Sequence, residues 1–135
     1  MREVLFRGKR YKNGEWVYGN LLIKSNDTLS DYLHQIVPIS MHEEVSPFDF
    51  VIPETVGQYT GLTVPSGKIF EHDIVTAKFK SNGARYNFTV KYSNEAGCYV
   101  FDNGSIKVPF NAIRSVRIIG NIHDSPELLK GGGQE

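Results

Sequence analysis

Four histidines, His34, His42, His72 and His123, and the carboxylates Glu43, Glu44, Asp73 and Asp124 are the side chains that could hold a metal ion or move a proton. A zinc protease needs two histidines one helical turn apart in HExxH, and structural zinc needs closely spaced Cys and His. Neither spacing occurs, so these histidines read as surface or core residues, and no metal or cofactor is expected. His72-Asp73 and His123-Asp124 are not dyads by adjacency, because neighbours on a strand point to opposite faces and a catalytic triad is a spatial arrangement. No serine lies in GxSxG, and the glycines of 54–62 fit neither GxxxxGK[ST] nor GxGxxG. Cys98 is the only cysteine, which excludes intrachain disulfides and CxxC sites. It opens an apolar strand and is expected to face the core as a small hydrophobe. The chain is therefore not expected to be an enzyme.

Binding has better support than catalysis. Glu54, Thr55, Gly57, Gln58, Tyr59 and Gly61 form a candidate binding loop, with two glycines flanking a tyrosine and threonine hydroxyls on either side. The same residues also read as a packed connector whose threonine bonds the nearby backbone. Lys78, Lys80, Arg85 and Lys91, followed by Lys107, Arg114 and Arg117, lie among Tyr86, Tyr92, Tyr99 and Phe101. Small barrels that bind single-stranded nucleic acid pair a basic groove with stacking aromatics, so this stretch is a candidate nucleic-acid surface. Alternating aromatics also build cores, and that reading stays open.

Charge is segregated along the chain although the total is zero. Residues 1–24 carry six Lys/Arg and two Asp/Glu, 25–73 one and eight, 74–117 seven and two, and 118–135 one and three. The balance argues against non-specific nucleic-acid or anionic-membrane binding by the whole molecule. An acidic middle between basic flanks offers a self-complementary surface. Val45, Phe48 and Phe50 lie inside the acidic block, and apolar anchors rimmed by charge resemble interface centres. They are candidates for self-association, the alternative being burial in the protein's own core.

The elements that must position these residues are mostly strands. Asn13-Gly14 between Tyr11 and Trp16-Val17-Tyr18 is a strong hairpin signal, joining strands near 2–11 and 15–24. Trp16 is expected to pack. Strands over 74–80, 86–92, 98–101, 106–110 and 115–122 are separated by turn residues, the spacing of a small barrel. Within 28–37, Leu29, Tyr32, Leu33 and Ile36 fit a helix face, whereas Tyr32, His34 and Ile36 also alternate as a strand; the β-rich surroundings favour strand. Ser125-Pro126-Glu127 starts a single helical turn. With 135 residues, the chain reads as all-β. A β-hairpin region with an acidic segment occupies 1–65, a small SH3-like antiparallel barrel 66–130, and a disordered tail 131–135. Ile74, Phe88, Val90, Val108 and Ile118 are its expected core. Asp73 is expected to cap the turn before the Ile74-Val75 strand.

The stretch Val51-Ile52-Pro53-Glu54-Thr55-Val56-Gly57-Gln58-Tyr59-Thr60-Gly61-Leu62 and the later Ser66-Gly67-Lys68-Ile69-Phe70-Glu71-His72-Asp73-Ile74-Val75 resemble the YopX family of small phage and prophage proteins. Glu15-Trp16-Val17-Tyr18-Gly19-Asn20-Leu21 resembles the family's early strand pair, and the closing segment from Ile118 to Leu129 agrees too. Members commonly carry Glu-Gly-Asp where this chain has Glu71-His72-Asp73, so the turn must form without a glycine's freedom at positive φ. The resemblance implies a β-rich phage accessory protein that assembles with copies of itself, and no established activity. The expectation is a cytoplasmic, non-enzymatic homo-oligomer that binds a protein partner and no membrane. The alternative is a single-stranded nucleic-acid-binding barrel.

Overall fold

The computed structural model describes residues 2–25, 32–38 and 49–129. The chain divides into two compact units, Met1–Tyr59 and Thr60–Glu135. In the first, strands β1 (Phe6–Lys9), β2 (Trp16–Ser25) and β3 (Tyr32–Pro38) form an antiparallel meander. The β1–β2 turn follows its sequence signal: Gly14 has φ 71°, its N–H donates to the Arg10 carbonyl at 2.9 Å, and the Asn13 side-chain oxygen accepts the Glu15 N–H at 2.9 Å. The ambiguous segment is a strand over Tyr32–Pro38; 26–31 lie outside the described residues.

Alternation on β2 buries Val17, which clusters with Ile36 and Val51 against Phe6, Leu21 and Val56. Trp16 is on the opposite face, paired with Lys9. It packs, but under cations rather than in the apolar core: the Arg7 guanidinium carbon lies 4.7 Å and Lys9 Nζ 5.7 Å from its ring centre. Gly19 is required by a close approach, since a Cβ there would stand 1.9 Å from the Val37 carbonyl oxygen. A one-turn 3-10 helix, Pro53–Thr55, precedes β4 (Gly57–Val64), whose first residues pair with β1.

From Thr60 onward β4 belongs to the second unit and neighbours β5 (Gly67–Phe70), so the first sheet's order is β3-β2-β1-β4-β5. Next come β6 (Asp73–Phe79), β7 (Arg85–Ser93), β8 (Cys98–Asp102), β9 (Lys107–Val108) and, after a 3-10 turn at Phe110–Ala112, β10 (Ile113–Asn121). β10 returns to pair with β6, giving a second sheet in the order β10-β6-β7-β8-β9, antiparallel at every join. Strands lie in each of the five stretches expected between 74 and 122, but the ladders do not close into a barrel. β9 is only two residues long, and Pro109, which has no N–H to donate, ends it.

The core of this unit lies on one face of that sheet. Ile69, Val75, Ala77, Phe88, Val90, Phe101 and Ile113 form its buried cluster, with Val108 and Ile118 packed against it. Ile74 is fully buried too, but alternates to the opposite face beside its partner Gly120, where Leu128 of the closing 3-10 turn Pro126–Leu129 approaches. Asp73 caps the turn as expected, its carboxylate accepting the Phe70 N–H at 2.7 Å. Cys98 is exposed, contrary to expectation: it is the first residue of β8, paired with Ser93 at the hairpin end, and burial on its side of the strand begins only at Val100. Among the described residues no helix is long and apolar enough to cross a membrane.

Phe88 has no accessible surface, so Phe88→Ala should destabilise the second unit by about 3–5 kcal/mol. Gly19→Ala should destabilise the first by about 1–3 kcal/mol, because carbonyl and methyl cannot share that space. Thermal unfolding of each variant checks both.

Candidate functional site

In an antiparallel ladder, residues directly opposite each other share a face. The register Arg114↔Lys78↔Arg85 therefore places three cations in one row across β10, β6 and β7, on the side away from the core. Arg117↔Thr76↔Asn87 is the next row. Arg114 and Arg117 are three residues apart and would point to opposite faces of a regular strand. They share a face because β10 carries a bulge between them, with Ser115 at φ 54°. A serine in the left-handed region is strained, and bulges re-aim side chains in this way.

Like charges set directly opposite are destabilising by some tenths of a kcal/mol per pair. Among the described residues Lys78, Arg114 and Arg117 have no ion-pair partner to relieve this. Arg85 Nη1 donates only to the uncharged Thr76 hydroxyl at 3.2 Å. Lys80 is exposed in the turn beyond β6. The row is thus a run of cations with no anionic partner among the described residues.

Further along the same face the polarity changes. Lys91 Nζ donates to Asp102 Oδ2 at 3.0 Å. Asn87, Thr89, Lys91, Asp102, Asn103, Gly104 and Leu129 line an open cleft of about 200 Å³. Burial raises the Asp102 pKa, but the Gly104 N–H, the Lys91 hydrogen bond and the charges of Lys91 and Lys107 together outweigh it, and the net shift is below the ordinary 3.8. One candidate cation of this face is thereby already neutralised.

The aromatics expected to stack bases are elsewhere. Tyr86, Tyr92, Tyr99 and Phe101 share the parity of Phe88 and Val90, so they sit on the core side of the sheet. Tyr92 and Tyr99 instead meet each other edge-on at 5.1 Å. The register brings Lys78 and Arg85 together but separates all the cations from the aromatics.

Of the candidate loop, Glu54 and Thr55 are in the 3-10 turn and Gly57, Gln58, Tyr59 and Gly61 are in strand β4, so the segment is not a loop. The Thr55 hydroxyl accepts the Lys9 N–H at 2.9 Å and donates to the Ile52 carbonyl at 2.6 Å. Gly57 and Gln58 pair with β1, Tyr59 is buried, and Gly61 has φ 89°. Of the self-association candidates, Phe50 is half-buried, its carbonyl accepting the Tyr11 N–H at 3.1 Å, while Val45 and Phe48 lie outside the described residues. Asp49 is engaged within the chain, 3.2 Å from Arg10 and 3.6 Å from Lys12. His72 and His123, distant in sequence, are neighbours in space, a proximity that no motif announced.

Fold and site together define a small all-β protein with a row of cations on a sheet face. The family model described as YopX protein matches residues 5–130, and the chain belongs to that family. No curated protein and no solved structure matches it.

Because the folded pKa of Asp102 is lowered, its carboxylate stabilises the fold at every pH above the ordinary 3.8. That contribution disappears as pH falls from there through the lower folded value. Asp102→Asn should therefore reduce the melting temperature at pH 7 and leave it equal to wild type near the acid limit, where both side chains are neutral. Melting curves across that range check the convergence.

Proposed function

We propose that this YopX-family chain is a phage-type accessory protein of the bacterial cytoplasm that acts without catalysis, by binding. Its basic sheet face docks an acidic protein surface, and a second copy of the chain is the nearest such surface. The observation that carries this reading is the bulge at Ser115. It accepts backbone strain and, in doing so, adds Arg117 to a face already bearing Arg114, Lys78 and Arg85. Strain retained at one residue while like charges gather is what an anionic partner would offset. Acidic residues for such a partner are present in the sequence: 25–73 carries eight Asp/Glu against one Lys, of which Asp49 and Asp73 are already engaged within the chain.

Single-stranded nucleic acid is the second reading. The cations favour it; against it, the four aromatics lie on the opposite parity from the cations, although Tyr92 is exposed there, and sequence-tolerant single-strand binding pairs basic groove and stacking platform on one surface.

Light scattering at micromolar concentration tests the first reading. The expected mass is a multiple of 15.2 kDa at low salt, falling toward that value as salt rises. Arg114→Glu combined with Lys78→Glu should give a monomer at low salt with an unchanged far-ultraviolet spectrum. A strictly monomeric wild type at all salts removes self-association. Salt-sensitive capture of a homopolymer single strand, lost in the same double variant, would transfer the face to nucleic acid.

A further inference from the structure

His72 occupies a position at which the backbone would favour glycine: its φ is 76°. Both of its backbone groups are pinned there, the N–H donating to the Val90 carbonyl at 2.8 Å and the carbonyl accepting the Ile122 N–H at 3.0 Å. A non-glycine residue in that region costs about 1–2 kcal/mol, so the side chain is retained against a local penalty. What the imidazole gains is a second one. His72 Nδ1 and His123 Nε2 stand 3.3 Å apart, with the rings nearly perpendicular at 83° and their centres 5.1 Å apart. His123 is held by the turn after β10, where the Asn121 side-chain oxygen accepts its N–H and that of Asp124, each at 3.0 Å.

These distances match two ligands of one ion. Nitrogens bound at 2.0–2.1 Å and spread by a tetrahedral angle are roughly 3.3–3.4 Å apart, and imidazoles aimed at that common point have centres roughly 5.2 Å apart. A collinear N–H···N bond of the same length would separate the centres by roughly 5.6 Å. We propose that His72 Nδ1 and His123 Nε2 form a two-nitrogen chelate for a borderline divalent transition-metal ion such as Zn²⁺ or Ni²⁺, with water completing the shell.

The donor type sets the class, since imidazole suits zinc, nickel and copper rather than magnesium or calcium. Among the described residues no three-membered group of His, Cys, Asp or Glu is placed to hold a metal, so the site argued here consists of the two imidazoles. Both facing nitrogens must present lone pairs to the metal, so in the bound state each neutral ring carries its hydrogen on the outer nitrogen.

The test uses the full chain, melted alone, with Zn²⁺ or Ni²⁺ in excess, and again after EDTA, with isothermal titration alongside. The melting temperature should rise with either metal, fall back with EDTA, and show one site per chain. His72→Gly is the informative variant, because glycine accepts the turn's φ freely. It should melt at least as high as wild type without metal, yet lose the metal-induced rise and the titration signal. His123→Ala should lose both as well. A wild type unmoved by metal reduces the pair to a hydrogen bond and overturns the proposal. A His72→Gly chain that keeps the full shift does the same, by placing the metal elsewhere.

Discussion

One extra residue in β10 governs what this protein presents to its surroundings. A strand's side chains alternate strictly, so the faces taken by Val116, Arg117 and Ile118 depend on the bulge at Ser115, the first of two register shifts of β10 against β6. With it, Ile113, Val116 and Ile118 all reach the core while Arg114 and Arg117 both stay outside. Without it, either an arginine would enter the apolar cluster or an isoleucine would leave it. The positive φ at Ser115 is the local penalty for satisfying both demands at once.

The bulge can have this effect because its partner does not yield. β6 is buried from Asp73 through Ala77, on both faces, an arrangement unusual for an antiparallel strand. Val75 and Ala77 belong to the core cluster, Ile74 and Thr76 to the other side. Asp73 fixes the entry to this strand by holding the Phe70 N–H, and His72 is stitched to β7 and to the end of β10. Adaptation therefore falls on β10, which has two register shifts against β6.

Much of this was legible. Alternation located β6 and β7 and put Phe88 and Val90 in the core, because a one-sided sheet writes its burial directly into the sequence. The Asn13-Gly14 turn and the Asp73 cap were equally plain, being local chemistry. What escaped depends on register between strands far apart in sequence. Arg114-Ser115 breaks alternation with two polar residues in a row, the one hint of a bulge, yet nothing local says which face Arg117 takes. Tyr86 and Lys78 look like neighbours of one surface until pairing separates them. Trp16 shows the limit differently: hydrophobicity predicts burial, but its face of β2 meets Arg7 and Lys9, so cations cover it. The expected barrel is instead an open sheet whose last strand, β9, is two residues long and is followed by Pro109 and a 3-10 turn, a length that side-chain pattern does not record.

The strand order also carries a history. Apart from the ladder that β10 adds to β6, strands β6 through β9 pair only with sequence neighbours, and such contacts close short loops that form early. β10 must cross the whole meander to reach β6, the long-range step that topology makes slow. A chain emerging from the ribosome can therefore assemble the meander before 113–121 exists, leaving one side of β6 bare until the last strand arrives. The cationic row is completed by Arg114, and the partner of His72 lies just beyond β10. Neither feature exists in the unfinished chain, so both first appear with the final docking event.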